Sequence, residues 1–249
     1  FKIEHDKSEF AGGYVKNPQT GAHDWVVSFD LNSLYPNIIV QWNMSPETLL
    51  TTPADCLPSG VDHYLNAFDG QDPIHPAQRE RNNAVASNGS IYSKKVDGVI
   101  PNIIIDYYDE RRSVKKQMLS AEQSYQKEKT FELEKEINTL HNQQMAIKIL
   151  MNSLYGAMGN RYFKYYDLRI AEGVTLTGQM VIQWAEKAIN KEMNKLLKTE
   201  EDYVLAIDTD SVYINMSALV RKLNPNDPVK FLDKICREHF EPKLAESYD

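Results

Sequence analysis

Between Pro101 and Asn160 almost every residue favours a helix. "NIIIDYYDERRSVKKQMLSAEQSYQKEK" and "TFELEKEINTLHNQQMAIKILMNSLYGAMGN" predict two long helices with a break near residues 127–130. At about 25 residues each, such helices are about 38 Å long, and so short a break makes them a projecting antiparallel pair. The rest of the fold has to be assembled from the segments before and after it.

Those flanking segments have a different texture. "WVVSFDL" at 25–31 is rich in β-branched and aromatic residues and predicts a strand, with Asp30 at its C-terminal end. In "NSLYPNIIVQW", Asn32 or Ser33 can cap a short helix whose first turn tolerates Pro36. Residues 51–101 are expected to be irregular, with a hairpin turn near Asn88 and Gly89. A third helix is predicted over about residues 171–197, where Val174, Val181, Trp184 and Ala188 recur near helical spacing, and it should pack on a sheet. "YVLAIDTDSVYINM" then predicts a hairpin with "DTD" at its tip, followed by a helix from about Val229.

Composition narrows the class without selecting a function. The chain has 249 residues, enough for one large domain or two small ones, and its 42% hydrophobic and 25% charged residues fit a folded globular protein. With 28 basic and 35 acidic residues its net charge is -7, so a polyanionic partner has to meet a local basic patch. Arg111, Arg112, Lys115, Lys116, Lys127 and Lys129 form one candidate, which also reads as a solvated helix face. Two distant cysteines, Cys56 and Cys236, suit a reduced intracellular setting. No apolar run approaches the roughly 18 residues that span a bilayer, and no signal peptide opens the chain. The absence of an initial methionine and the ending at "ESYD" fit a piece of a longer protein.

Asp208 and Asp210 are two apart, so in an extended segment they point the same way. Such a pair repels itself unless a proton or a cation intervenes, and all-oxygen ligation suits Mg²⁺. Two aspartates in a turn are more often a turn feature. Asp30, a second acid at a strand end, supplies the minimum for a two-metal centre acting on phosphate. On the second long helix, Lys148, Asn152 and Tyr155 fall at i, i+4 and i+7 of "KILMNSLYG", one face about 10 Å long. Lysine can hold phosphate as a point charge, and Arg111 and Lys115 form a matching i, i+4 stripe on the first helix. An amphipathic helix with packed Tyr and Asn explains the same pattern.

Taken together and in this order, "DLNSLYPNII", "KILMNSLYG" and "DTDS" resemble the three polymerase motifs of family B DNA polymerases. "FAGGYVKNP", "NMSPETL", "GVIP" and "YYDLRIAEGVTLTGQM" are particularly similar to the T-even-type bacteriophage replicative polymerases, and the similarity covers nearly the whole chain. The resemblance implies an α+β fold: a polymerase palm, made of an antiparallel sheet with helices on one face, plus an α-helical hairpin as fingers. Residues 1–97 and 161–249 would be the palm and 98–160 the fingers.

It further implies DNA-directed DNA synthesis, a nucleotidyl transfer from dNTP to a primer 3′-hydroxyl with two Mg²⁺ ions. Asp30 and Asp210 would be the principal ligands, the Leu31 carbonyl a further one and Asp208 a supporting carboxylate. The Ser33 and Leu34 amides would receive the triphosphate and Tyr35 would be the steric gate under the sugar. Arg111, Lys115 and Lys148 would grip phosphates, with Asn152 nearby and Tyr155 lining the nascent pair, while Gly12 and Gly13 would contact the template strand. Implied partners are primer–template DNA, dNTP, a sliding clamp and separate exonuclease and thumb segments; the implied location is the host-cell cytoplasm. The family pattern of Tyr-Gly before the third-motif acids is replaced by Ala206 and Ile207, which puts Ile207 bulk where glycine is expected near the primer terminus. Two other readings are a non-catalytic or split polymerase subunit and a two-metal nuclease; the nuclease leaves Tyr35 and the Lys148 stripe without a task.

Overall fold

The computed structural model describes residues 12–50, 60–73, 80 and 82–245. The chain folds as two compact units, with the described parts of 1–34, 59–73 and 175–249 in one and those of 35–58 and 74–174 in the other.

The first unit is built on an antiparallel four-stranded sheet in the order β1 (Val15–Lys16), β5 (Val204–Asp208), β6 (Ser211–Asn215), β2 (Val26–Asp30). Alternation along the strands decides its two faces. Val27, Phe29, Ile207, Val212 and Ile214 turn inward, whereas Asp30, Asp208 and Tyr213 lie on the exposed side. The inward face meets Ile182, Ala185, Ile189 and Met193 of helix α5 (Leu168–Leu197); the helix lies where the sequence predicts it, but the stripe that enters the core is one residue on from the expected Val181, Trp184 and Ala188, of which Trp184 and Ala188 are only partly buried. The carboxyl-terminal part is more divided than one helix: α6 (Ser217–Leu223) and α7 (Pro228–Ile235) precede a π-helical turn at Cys236–Phe240 and a short α8 (Glu241–Ala245). Cys236 is a free, buried thiol, and burial pushes its pKa up to about 11. Cys56 lies outside the described residues. Lys16 ties β1 down, with its ammonium 2.5 Å from both Glu186 and Asp202.

The second unit carries α1 from Tyr35 onward (the helix is Leu34–Gln41), the predicted hairpin β3 (Asn83–Val85) and β4 (Ile91–Ser93), and the long pair α3 (Val99–Lys127) and α4 (Phe131–Met158). No glycine or proline interrupts residues 102–155, and Thr130 starts the second helix by accepting from the Leu133 amide at 3.3 Å. Helices α3 and α4 pack on one another, and the buried residues along them include Ile104, Val114 and Ala121 on α3 and Leu140, Ile147 and Met151 on α4. Within residues 51–101 the sequence reading missed helix α2 (Val61–Phe68), an element of the first unit, too short for a periodic signal; residues 51–59, 74–79 and 81 lie outside the described set.

The base of α3 is fixed from a distance. Its N-cap, Gly98, has no side chain to offer, and three residues of "NMSPETL" replace it. Asn43 Oδ1 accepts from the Gly98 amide at 2.8 Å, Ser45 Oγ from Ile100 at 3.4 Å and Glu47 Oε1 from Val99 at 2.5 Å. Burial by itself would raise the Glu47 pKa. The Val99 amide and the Ser45 hydroxyl outweigh it and hold the carboxyl below its usual value, as expected for an anion at a helix start.

Candidate active site

Register brings the three acids together. Ser211 on β6 pairs with Asp30 on one side and with Asp208 on the other, so the two acids end flanking strands at one level. Asp210 stands one residue before Ser211, and its carbonyl accepts from the Leu31 amide at 2.8 Å, which extends the β2–β6 ladder past Asp30. Asp30 is therefore the cross-strand neighbour of the turn that carries Asp210.

The electrostatics follow from that placement. The Asp210 carboxyl is held above the usual range, first by burial, then by the Asp30 charge and least by Asp208. Like charges close together and partly out of water disfavour ionisation. Ser211 Oγ is 3.4 Å from Asp210 Oδ1, and Thr209 Oγ1 donates to Asp208 Oδ1 at 3.2 Å. Among the described residues no three acids, histidines or cysteines cluster tightly enough to hold an ion by themselves. The strongest coupling is the pair Asp30 and Asp210. Two hard carboxylates with excess negative charge fit Mg²⁺, which takes few protein ligands and fills its shell with water and phosphate oxygens.

The hairpin tip expected at "DTD" is present, but Asp208 and Asp210 are related otherwise than by extended backbone. The segment between them is a tight turn rather than an extended stretch. The Asp210 amide donates to the Asp208 carbonyl at 2.6 Å across Thr209, whose φ is +55°. This is γ-turn geometry with a β-branched residue in the left-handed region, a strained arrangement costing roughly 1–3 kcal/mol.

Residues 13 and 14 hold the strained turn. The Tyr14 carbonyl accepts from the Thr209 amide at 2.9 Å. A Cβ on Gly13 would stand 2.6 Å from Thr209 Oγ1 and 2.8 Å from its Cγ2, so glycine at 13 leaves the room that the Thr209 side chain occupies. Gly12 contributes a carbonyl to Gln179 Nε2 at 2.5 Å, and a Cβ there would meet open space. Gly13→Val should lower stability by about 1–3 kcal/mol through overpacking against Thr209, measured by thermal melting beside Gly12→Ala, which should melt like the parent.

Ile207 does not crowd the open face. It is 1% exposed and points into the core beside Val212, because it alternates with the exposed Asp208. The residue that faces the other way is Ala206, opposite Tyr213 and next to a register shift.

In the second unit, Lys148 and Asn152 are exposed along α4, and Tyr155, half-buried, follows on the same face. Arg111 Nε donates to Gln144 Oε1 at 3.3 Å, and Gln144 lies one turn before Lys148. Arg111 thus comes within a helical turn of the α4 stripe, while Lys115 is exposed a turn further along α3. The Tyr35 ring, in the first turn of α1, stacks on Tyr155 with centroids 4.7 Å apart. Ser33, with φ +53°, and Leu34, 3% exposed, form the entry to α1 in the first unit; Ser33 departs from the extended backbone usual for a helix cap.

One feature escaped the sequence reading. After α4 the turns at 160–166, "NRYFKYY", display Tyr162 at 82% and Tyr165 at 53% exposure, with Arg161 and Lys164 5.2 and 5.5 Å from the ring centres. Aromatic faces interleaved with cations are the chemistry of stacking on unpaired bases. The alternation of aromatic and basic types was a legible signal.

These strand-end carboxylates and the helical hairpin with its cationic stripe belong to one class of protein. The model of DNA polymerase family B matches residues 2–224, and the chain is a member of that family. It is 32% identical to the DNA-directed DNA polymerase of Escherichia phage RB69 and 30% identical to that of Enterobacteria phage T4, each match covering 98% of this chain. The chain spans 31% of the length of each of these relatives. The family B DNA polymerase from the hyperthermophilic archaeon Pyrobaculum calidifontis shares the fold, with a TM-score of 0.54 over 96% of this chain and 25% of that one at 24% identity. The family resemblance drawn from the three motifs is borne out, as is the mixed fold with an antiparallel sheet. No described helix is long and apolar enough to cross a membrane.

Proposed function

We propose that this chain performs template-directed DNA synthesis, transferring a deoxynucleotide from dNTP to a primer 3′-oxygen with release of pyrophosphate. Residues 1–97 and 161–249 serve as palm and 98–160 as fingers. The observation that carries the reading is the cross-strand placement of Asp30 beside the Asp210 turn, in a member of DNA polymerase family B.

Asp30 and Asp210, helped by the Leu31 carbonyl, would hold two Mg²⁺ ions, and Asp208 adds charge from the next strand. When bound, such ions activate the attacking oxygen and stabilise the leaving phosphate. The Ser33 and Leu34 amides face the triphosphate as helix-start donors. Arg111, Lys115 and Lys148 neutralise it, and Asn152 and Tyr155 line the nucleotide. Gly12 and Gly13 belong to the template side. Primer–template DNA and dNTP are the substrates; a sliding clamp and separate exonuclease and thumb segments are the proposed partners, and the host cytoplasm the proposed location.

The test is Mg²⁺-dependent primer extension by the 249-residue chain. Failure to extend in any template context, or cleavage of DNA without dNTP-dependent growth, would overturn the reading. Because the chain spans 31% of its phage relatives, a second reading has it bind nucleotide but extend only with the remaining polymerase segments; extension with and without those segments separates the two.

Lys148→Ala should raise the KM for dNTP roughly tenfold to a hundredfold, the worth of a charged hydrogen bond, with primer–template affinity unchanged. Steady-state kinetics at saturating DNA reads it. Tyr162→Ala and Tyr165→Ala should each weaken single-stranded template binding by about 1–3 kcal/mol, measured by fluorescence anisotropy of a labelled oligonucleotide.

A further inference from the structure

We propose that Tyr155 is a positioning residue for sugar selection, acting through Tyr35 by holding its ring in the orientation that excludes a 2′-hydroxyl. The inference rests on the polymerase reading and deepens it.

Both rings hang from rigid backbone. Tyr35 lies between Leu34 and Pro36 in the first turn of α1, a helix seated by Ile38 and Ile39, which are 1% and 0% exposed. Proline at this point fixes the local backbone, so the freedom left to Tyr35 is rotation of its side chain. Tyr155 is equally anchored, between Met151 at 2% and Met158 at 0% exposure on α4. The rings meet at 4.7 Å between centroids with planes inclined at 35°. Contact of this kind contributes beyond simple burial and removes rotamers from each partner.

A steric gate discriminates by the position of one face, and tolerances in such sites are about 0.5 Å. Tyr35 cannot keep that tolerance through its backbone alone. Tyr155 is also chemically constant. Burial, and then the neighbouring Tyr35, push its pKa up to about 12, so it presents a neutral phenol throughout the neutral range.

The experiment is single-nucleotide incorporation by the 249-residue chain with Mg²⁺, using a dNTP and the rNTP of the same base. The readout is the ratio of their kcat/KM values. Tyr155→Leu should lower the dNTP preference about tenfold and Tyr155→Phe, which keeps the ring, should change it less than about twofold. Tyr155→Ala is a second truncation with the same expectation as Leu, and thermal melts establish that each variant is folded. In the Tyr35→Ala background, Tyr155→Leu should produce no additional loss, since coupled residues are non-additive. A residue that only checks the base pair, or only packs, would alter mismatch insertion or overall rate while leaving the sugar ratio alone. An unchanged ratio in Tyr155→Leu and Tyr155→Ala, or a further fall in the double variant, overturns the proposal while leaving the polymerase reading intact. A parent chain that incorporates nothing either alone or with the remaining polymerase segments added overturns both.

Discussion

Asp210→Asn should reduce primer extension by at least about a thousandfold if the proposed two-metal reading holds, because it would then remove a ligand charge where the transition state needs it most. The same change should leave the fold intact and slightly raise the melting temperature without divalent cations. The sign follows from the raised carboxyl. Burial, then Asp30, then Asp208 make the folded protein bind the Asp210 proton more tightly than the unfolded chain does. Its contribution to stability is therefore present below the ordinary carboxylate range and is lost as pH rises through the raised value. At neutral pH the charge is a cost, and asparagine removes it. Mg²⁺ should reverse the order, raising the melting temperature of the parent more than that of the variant. Retained extension, or equal Mg²⁺ stabilisation of both proteins, would remove Asp210 from the ligand set. Asp208→Asn should cost less activity, in keeping with its weaker influence on Asp210.

Tyr35→Ala should raise ribonucleotide incorporation relative to deoxynucleotide by roughly a hundredfold, with a far smaller loss on deoxynucleotides themselves. Exclusion of a hydroxyl by a ring edge is a clash that truncation abolishes, whereas dNTP binding draws on phosphate contacts elsewhere. Paired kcat/KM measurements decide it, and equal losses on both sugars would mean that Tyr35 supports the site generally. Tyr35→Phe keeps the ring and should retain discrimination.

Local strain in one unit and distant capping in the other each set backbone geometry through residues far apart in sequence. Thr209 adopts an unfavourable backbone between two acids, and the Tyr14 carbonyl and the missing Cβ of Gly13 accommodate it. Glu47 and Asn43 supply the cap that Gly98 cannot, fixing the base of the helix that carries Arg111 and Lys115. Neither relation joins residues close in sequence, so no short-range pattern announces it. The sequence does contain the partners, in "FAGGYV" and "NMSPETL", but not their destinations.

Periodicity alone determined the long helical pair, the strand ending in Asp30, the hairpin around the "DTD" tip and the presence of helix α5, though not which of its residues enter the core, because each depends on side-chain spacing of two or about 3.6 residues. It left open which side of the sheet Ile207 occupies, how tightly the backbone turns between Asp208 and Asp210 and which ring meets Tyr35. Strand register and close packing between distant segments decided these in the tertiary structure. A hydrogen-bond ladder fixes which residues stand opposite one another, and contacts across more than a hundred residues of chain leave no trace in local spacing.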